Sequence, residues 1–334
     1  MTQRTRVRVL RSDGREWASM AIAYRELLGT TQEIGSSEHQ RIRSALRSIE
    51  SVTDRHGFTW KSVGGFGSDS DPAILWTDFT FGVELEVLAP MDRYAMQQFL
   101  LSHNLSNWMV VPDASLAAVE GYSAMEIVSP VLQGEDGIAK LTTILKLLEE
   151  KGCRINSSCG MHVHIGVRSM KVARVRKIAI AFLNAEHCFD QLVPPSRRAN
   201  RYCNSNTARV YGTAARATLL NAANINRIAE VMNGGNSNSH YNSYRYHKLN
   251  FQSFVRHGTI EFRQHAGTVE HQKAVQWVRL ITGFCAWAAS APQQAIQTSA
   301  LMLDEFLKNC TDETGATYMK ARAAKLANPL RRAA

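Results

Sequence analysis

Three short stretches of this chain place polar side chains two residues apart within an apolar run. They are residues 79–87 (FTFGVELEV), 160–167 (GMHVHIGV) and 258–265 (GTIEFRQH). Successive side chains of a β-strand point to opposite faces, so residues i and i+2 share one face. Carboxylates, imidazoles and guanidinium groups gathered on one sheet surface can bind metal ions and phosphate. The spacing therefore predicts an enzyme active site on a sheet.

In each stretch a polar face lies opposite an apolar one. The polar residues are Glu84 and Glu86 in the first stretch, His162 and His164 in the second, and Glu261, Arg263 and His265 in a row in the third. A single Glu-x-Glu pattern is usually the solvated face of an ordinary strand. Glycines at 160 and 166 flank the histidine pair and leave room above it for a ligand or metal. Three such faces in one chain favour a common site.

The elements that must position these residues alternate irregularly between strand-like and helix-like patterns. Helices are predicted at 92–103, 138–148 and 218–232, and two more begin at Ser169 and Thr268. Residues 249–254 and 259–264 are predicted to pair as a hairpin, and the loop 233–242 is a candidate lid. Strands joined both by hairpins and by long helical segments predict an α+β fold, with helices packed on a mostly antiparallel sheet.

Composition divides the chain into three parts. Residues 1–75 are predicted as a helical N-terminal extension, with helices at 18–28 and 37–49 and a Gly/Ser-rich linker at the end. Residues 76–290 form the predicted catalytic domain, and residues 291–334 form a C-terminal helix and a basic tail. The Gly-x-x-x-x-Gly-Lys-Ser/Thr pattern of a phosphate-binding loop does not occur in the sequence.

The chain has 334 residues, of which 45% are hydrophobic and 20% charged, and this indicates a globular protein with a sizeable core. No apolar run approaches the roughly 20 residues that span a bilayer. The N-terminus shows no secretory signal. The six cysteines form no C-x-x-C pair, which is typical of reduced, buried thiols. We therefore expect a cytoplasmic protein without a membrane partner.

The net charge of +10 and the pI near 9.5 favour acidic partners such as nucleotide phosphates. The excess charge is spread along the chain, which is more typical of a solvated surface than of a nucleic-acid-reading face. Nucleic acid is therefore a disfavoured but open partner. A homo-oligomer is also left open.

The three stretches resemble segments of glutamine-synthetase-like carboxylate–amine ligases. CGMHVHIG is similar to the Gly-Met-His-x-His strand of glutamine synthetases, FGVELE to their Glu-x-Glu strand and GTIEFR to their Glu-x-Arg strand. The resemblance is closest to the amidoligase family, in which VPDASL, AMEIVSPVL, PPSRRANRYC, YRYHKLNF and GTIEFRQHAGT occur in this order. It covers residues 76–284 and implies a glutamine-synthetase-like catalytic sheet.

The resemblance implies a role for each matched residue. It implies a metal site made of Glu84, Glu86, Glu126, His162 and Glu261, nucleotide contacts from His164, Arg263 and Arg245, and catalytic roles for Arg263, Arg245 and Glu84. Asp113, beside Ser115, and the basic-loop residues Arg197 and Arg201 are candidate substrate contacts. The basic loop is as easily a solvated surface. Cys159 is interpreted as a buried structural thiol, and His265 as a strand-end hydrogen bonder or a third ligand.

The reaction implied is the ATP-dependent formation of an amide or isopeptide bond through an acyl phosphate, on an amino-acid- or peptide-like substrate. The implied cofactors are ATP and two or more Mg²⁺ or Mn²⁺ ions, since carboxylates suit Mg²⁺ and an imidazole admits Mn²⁺. The ammonia-site loop of glutamine synthetase has no counterpart here, so an amine larger than ammonia is expected. The carboxylate and the amine are expected on small molecules, peptides or proteins.

Two other functions fit the same residues. A zinc-dependent hydrolase would use His162, His164 and a third ligand, and it would keep one position open for water. A basic nucleic-acid-binding or structural protein with a decayed site would keep the fold without the chemistry.

Overall fold

The computed structural model describes residues 8–11, 16–17, 41–42, 52–54, 57, 59–63, 73–117, 119–235, 242–292, 295–296 and 300–327. The chain divides into two compact units, the first ending at Asp71 and the second beginning at Pro72. The residues that the sequence singles out for chemistry all belong to the second unit.

The first unit contains a small antiparallel sheet with the strand order β2-β1-β4-β3. Its strands are β1 (Arg8–Arg11), β2 (Glu16–Trp17), β3 (Val52–Thr53) and β4 (Thr59–Val63). The sequence pattern predicts only helices in this segment, and these strands correct that prediction. The predicted helices at 18–28 and 37–49 lie outside the described residues, except for residues 41–42, which are helical.

The second unit is built on a seven-stranded sheet. Its strands are β5 (Thr80–Ala89), β6 (Met109–Val111), β7 (Ser123–Val128), β8 (Leu132–Gln133), β9 (Gly160–Gly166), β10 (Leu249–Asn250) and β11 (Thr259–Ala266). Six strands follow the order β10-β11-β9-β5-β7-β6, and β8 pairs with β5. The pairs are antiparallel, which confirms the predicted α+β class with a mostly antiparallel sheet.

The helices of this unit are α1 (Arg93–Ser102), α2 (Gly134–Glu150), α3 (Val172–Gln191), α4 (Asn206–Arg209), α5 (Thr213–Leu220), α6 (Ile225–Asn233), α7 (Ser253–His257), α8 (His271–Ser290), α9 (Leu303–Cys310) and α10 (Glu313–Ala327). The predicted helices at 92–103 and 138–148 are confirmed, and the Asp92 carboxylate accepts from the amide of Ala95 to cap the first. None of the described helices is long and apolar enough to cross a membrane.

Three local predictions are wrong in detail. The helix predicted at 218–232 is interrupted, because Asn224 accepts from the amide of Arg227 and starts α6 as a separate helix. The side chain of Ser169 does not cap α3, whose N-cap residue is Lys171. Strands β10 and β11 pair as predicted, but the residues between them form the short helix α7 instead of extending the first strand.

The core lies on one face of the sheet. Its strand residues include Phe81, Val83, Leu85, Met161, Val163, Ile165, Ile260 and Phe262, all of them buried. Phe182 of α3 and Phe284 of α8 meet Phe262 of β11, with ring centroids 5.9 and 6.2 Å apart. The alternation predicted for the three stretches therefore holds on this side, and the opposite face is left for polar residues. All six cysteines are buried free thiols, as the sequence predicts.

Side-chain amides cover both outer edges of the sheet. Gln97 of α1 donates to the carbonyl oxygen of Trp108 and accepts from the amide of Val110, both at 3.0 Å, along β6. At the other end, the buried Asn206 and Asn233 bond backbone groups of β10 and of the residue that follows it. These contacts satisfy strand groups that no neighbouring strand pairs, and unpaired edges are otherwise prone to association.

Candidate active site

The strand register places the predicted polar residues directly opposite one another. The opposed pairs on the polar face are Glu84 with His162, Glu86 with Glu126, and Glu261 with His164. Directly opposed residues of antiparallel strands have Cβ atoms about 4.5–5.5 Å apart. The three sequence stretches, together with β7, therefore meet on a single surface.

Glu84 lies at the centre of this surface. Its Oε2 atom is 3.0 Å from Nδ1 of His162, and its Oε1 atom is 3.1 Å from Nε2 of His164. Burial alone raises the pKa of Glu84, but His164 and His162 outweigh it and hold that pKa well below its usual value. Glu84 is therefore ionised, and both of its oxygens face imidazole groups.

Glu261 is held from two sides. Arg263 Nη1 donates to its Oε1 atom, and the buried Asn250 donates from Nδ2 to its Oε2 atom at 2.7 Å. Burial raises the pKa of Glu261, but the charges of Arg263 and His164 outweigh it and lower that pKa. The strand pattern does not single out Asn250, although this residue lies within the YRYHKLNF segment that carries the family resemblance.

A second carboxylate group lies towards β7 and β6. Ligand atoms of Glu86, Asp113 and Glu126 lie within 4.8 Å of one another. Burial, together with the negative charges of Glu84 and its acidic neighbours, raises the pKa of Glu126 to about 9. At neutral pH and without a cation, Glu126 therefore keeps its proton, because its acidic neighbours oppose a further negative charge. Asp113 lies in the loop after β6, where its Oδ1 accepts from the amide of Ser115 at 2.8 Å.

Three groups of side chains could each hold a metal ion. They are Glu84, Glu126 and His162; Glu84, His164 and Glu261; and Glu86, Asp113 and Glu126. Glu84 and Glu126 each belong to two groups, so each can bridge neighbouring ions. Among the residues that the structure describes, none of these groups contains both histidines. The donors are mostly oxygens, the ligand type that Mg²⁺ and Mn²⁺ accept.

Two arginines lie around the ring of Tyr246, near the Glu261 end of the site. The guanidinium carbons of Arg245 and Arg263 are 5.0 and 5.9 Å from the centre of that ring. Arg263 is buried, and among the described residues its Nε atom has no hydrogen-bond partner. Arg245 is only half-buried. Guanidinium groups in such a position can bind phosphate oxygens through two hydrogen bonds at once.

The two other basic residues that the sequence singles out differ in exposure. Arg197 is buried, and its guanidinium donates to the carbonyl oxygens of Arg263 and Gln264 at 2.6 and 3.3 Å. Arg201 is exposed and donates to the hydroxyl of Tyr202 at 2.6 Å. Arg197 thus supports the backbone of β11, whereas Arg201 is open to solvent.

His265 does not continue the row that begins with Glu261 and Arg263. The register between β11 and β9 shifts between Phe262 and His265, so His265 is opposite Met161 on the core side. An extra residue in one strand reverses the faces of all the residues that follow it. His265 is fully buried, and its ring packs 4.9 Å from that of Trp277. The prediction that His265 shares a face with Glu261 and Arg263 is therefore wrong.

The glycines beside the histidines do not leave empty space. A Cβ atom at Gly160 would lie 2.9 Å from Nη2 of Arg197 and 3.1 Å from Nε2 of His162. A Cβ atom at Gly166 would collide with the hydroxyl of Thr80. The side chains of the protein itself thus fill the room that the sequence suggests for a ligand.

A buried ion-pair network that sequence analysis missed supports β11 from behind. Lys248 Nζ is 2.8 Å from Glu186 Oε1 and 2.7 Å from Asp190 Oδ1. The carbonyl oxygen of Lys248 accepts from the amide of Arg263, and Gln264 donates to Asp190. Lys248 lies between His247 and Leu249, just before the predicted strand 249–254, so the local sequence gives no signal of this network.

Comparison with known proteins agrees with this geometry. A family model described as "putative amidoligase enzyme" matches residues 19–285 of the chain. No curated protein matches the chain. The matched region spans most of the sequence and includes the three stretches whose side chains meet on the sheet. The chain belongs to this amidoligase family.

Proposed function

We propose that this chain is an ATP-dependent carboxylate–amine ligase that forms an amide or isopeptide bond through an acyl phosphate. The observation that carries the proposal is the set of three adjoining ligand groups, which share Glu84 and Glu126 and lie beside the buried guanidinium of Arg263. Family membership supports the formation of a carbon–nitrogen bond, and the resemblance to glutamine synthetase segments supports the use of ATP.

The residues fit two or more divalent cations. Burial and the surrounding carboxylates raise the pKa of Glu126 to about 9, and bound cations would favour the loss of this proton, so that Glu126 could serve as a carboxylate ligand. Glu84, Glu86, Glu126 and Glu261 supply oxygen ligands and the histidines nitrogen ligands, a mixture that suits Mg²⁺ or Mn²⁺. Bound ions in such a site neutralise phosphate charge and align the attacking and leaving oxygens.

The chemical problem is that a carboxylate is a poor electrophile with a poor leaving group. Transfer of the γ-phosphoryl group of ATP to the carboxylate gives an acyl phosphate, which an amine attacks with release of phosphate. For such a transfer the protein mainly has to position the reactants and stabilise the developing charge. Arg263 and Arg245 supply positive charge on the side of the site near Glu261. The burial of Arg263 keeps that charge out of bulk water, where it would be screened.

The substrate carboxylate is best placed on the side of the site that carries the arginines. Arg201 and Tyr202 adjoin Tyr246, since the two tyrosine rings are 5.3 Å apart. Together with Arg245 they form a basic, aromatic surface that continues from Arg263 to the solvent. Such a surface suits the acidic part of an amino-acid- or peptide-like substrate. Asp113 belongs to a ligand group, so we assign it to cation binding in preference to substrate binding.

A screen of carboxylate and amine pairs tests this function. Purified protein is incubated with ATP and Mg²⁺ or Mn²⁺ together with pools of amino acids, peptides and polyamines, and ADP release is measured. We expect ADP release that requires the cation, a carboxylate and an amine together. Stoichiometric zinc that survives dialysis, together with amide cleavage in the absence of ATP, would show a hydrolase instead.

A further inference from the structure

Two hydroxyl groups lie behind His164, on the side away from the carboxylates. Nδ1 of His164 is 3.0 Å from Oγ1 of Thr259. Oγ1 of Thr259 is 3.3 Å from Oγ of Ser253, and that oxygen is 2.7 Å from the backbone carbonyl oxygen of Thr259. The three side chains thus form a short relay that ends on the protein backbone.

The end of the relay sets the direction of its hydrogen bonds. A backbone carbonyl can only accept, so the hydroxyl of Ser253 donates to it. Ser253 then accepts from the hydroxyl of Thr259, whose single proton is used in this way. Thr259 can therefore only accept from Nδ1 of His164. The relay requires a proton on Nδ1, and in the neutral ring this leaves the lone pair on Nε2.

Nε2 of His164 points towards two carboxylates. It is 3.1 Å from Oε1 of Glu84 and 3.9 Å from Oε1 of Glu261, and these residues form one of the three ligand groups. An octahedral ion with bonds of about 2.1 Å has neighbouring ligand atoms roughly 3 Å apart and opposite ones roughly 4.2 Å apart. The 3.1 Å separation is close to the first of these values, and the 3.9 Å separation lies between the two.

His162 lacks such a support. Its Nδ1 is 3.0 Å from Glu84 and 3.4 Å from Glu261, and its Nε2 is 3.5 Å from Glu86. Both of its ring nitrogens therefore face carboxylates of the site. Ligating histidines usually donate their second N–H to a fixed acceptor, which holds the ring and its tautomer. Among the described residues, His164 has such an acceptor outside the three ligand groups, whereas the carboxylates near His162 all belong to them.

We propose that Ser253 and Thr259 are positioning residues that hold His164 with its proton on Nδ1, so that Nε2, Glu84 and Glu261 together bind one divalent cation. The inference rests on the cation site of the proposed function and changes the role of His164 from a phosphate contact to a metal ligand. A nitrogen ligand makes this position favour Mn²⁺ over Mg²⁺.

The tautomer is tested by two-bond ¹⁵N–¹H spectra of the Mg²⁺-saturated protein, with the signal of His164 assigned through His164→Gln. We expect a protonated Nδ1 and an unprotonated Nε2. In Ser253→Ala the hydroxyl of Thr259 loses its acceptor and can turn towards Nδ1, so we expect the proportion of the Nε2–H form to rise. A protonated Nε2 in the wild-type protein overturns the proposal.

Metal binding is tested by two titrations. Binding of Mn²⁺ alone is monitored by EPR, and binding of Mg²⁺ alone is monitored by calorimetry. Thr259→Val keeps the branched shape but cannot accept from Nδ1, and it should weaken Mn²⁺ binding about tenfold or more, and Mg²⁺ binding less. Thr259→Ser keeps the hydroxyl and should restore the wild-type ratio of Mn²⁺ affinity to Mg²⁺ affinity. The exposed Thr143, which donates to a carbonyl of its own helix, provides the control variant Thr143→Val.

The outcomes separate this inference from the proposed function. Mn²⁺ binding without ¹⁴N coupling from His164, or equal losses of Mn²⁺ and Mg²⁺ affinity in Thr259→Val, refutes the role of the relay and leaves the ligase proposal standing. Ligation by His164 without any ATP turnover in the substrate screen refutes the ligase and leaves the metal site standing. A wild-type protein that binds neither Mn²⁺ nor Mg²⁺ refutes both.

Discussion

Glu84 faces His162 across the pair of strands β5 and β9, with Glu84 Oε2 3.0 Å from His162 Nδ1. The other oxygen of Glu84 meets His164, so one carboxylate links both residues of the histidine strand. The same carboxylate belongs to two of the three ligand groups. Glu84 is therefore the residue on which the proposed cation site depends most.

Substitution of Glu84 by Gln keeps the size of the side chain and removes its charge. We expect Mn²⁺ affinity to fall about tenfold or more and ligase turnover to be lost, because two ligand groups lose a shared anion. Calorimetric titration measures the affinity, and circular dichroism and thermal unfolding show whether the fold is kept. Glu149→Gln changes an exposed glutamate of α2 and serves as the matched control. Unchanged Mn²⁺ binding in Glu84→Gln contradicts the assignment.

A methyl group at Gly160 should damage the site selectively. Its carbon would lie 2.9 Å from Arg197 Nη2 and 3.3 Å from Glu86 Oε2, so these groups must move. Small displacements of positioned groups slow catalysis strongly. We therefore expect the turnover of Gly160→Ala to be about tenfold lower or more. Gly82→Ala is the matched control, since its Cβ would meet only ordinary contacts, the closest at 3.6 Å. Equal activity in the two variants contradicts the close packing at Gly160.

The alternation of strand side chains was enough to predict the centre of this site. Glu84 and His162 lie on strands with an uninterrupted period of two, and Glu261 precedes the irregularity in β11, so the face that each side chain takes follows from sequence. Their register with one another could not be derived, because it depends on pairings between segments far apart in the chain. The position of Asn250 against Glu261 and the relay behind His164 depend on the same pairings.

The prediction failed where the backbone departs from regular alternation. His265 has the spacing of a site residue, but the extra residue after Phe262 turns it into the core. The sequence GTIEFRQH does not indicate such a bulge. The sequence places Arg197 in a basic loop that either contacts substrate or is solvated, and its burial depends on contacts with the carbonyl groups of β11. Neither outcome could be read from local sequence.

The burial of His265 predicts a pH dependence of stability. Burial, together with nearby positive charges, holds the pKa of His265 well below its usual value. The unfolded chain binds this proton below about pH 6.5 and the folded chain does not, so the free energy of unfolding falls as the pH decreases below 6.5. The contribution is at most about 1.4 kcal/mol per pH unit.

His265→Phe keeps a ring against Trp277 and removes the titrating group. We expect urea unfolding of this variant between pH 7 and pH 5 to show a shallower loss of stability than that of the wild-type protein. The difference between the two proteins removes the effect of the other titrating groups, including His164, whose raised pKa acts in the opposite direction. Parallel pH profiles for the two proteins are the result that contradicts this prediction.

The edge contact of Gln97 should contribute to stability without affecting chemistry. Gln97→Ala leaves the carbonyl of Trp108 and the amide of Val110 without these bonds, and we expect a loss of about 1–3 kcal/mol. Gln98→Ala changes the exposed neighbour on the same helix and should cost much less. Denaturant unfolding measures both, and Mn²⁺ affinity should stay the same. If Gln97→Ala lowers the free energy of unfolding no more than Gln98→Ala does, the two hydrogen bonds of Gln97 do not contribute to stability.

The most direct test of the proposed chemistry follows the carboxylate oxygen. A carboxylate substrate found in the screen is labelled with ¹⁸O and ligated to its amine with ATP and Mg²⁺, and the released phosphate is analysed by mass spectrometry. A γ-phosphoryl group transferred to the carboxylate leaves with one of its oxygens, so the account predicts one ¹⁸O atom in phosphate for each amide formed. Phosphate without ¹⁸O, or amide formation without ADP, contradicts it.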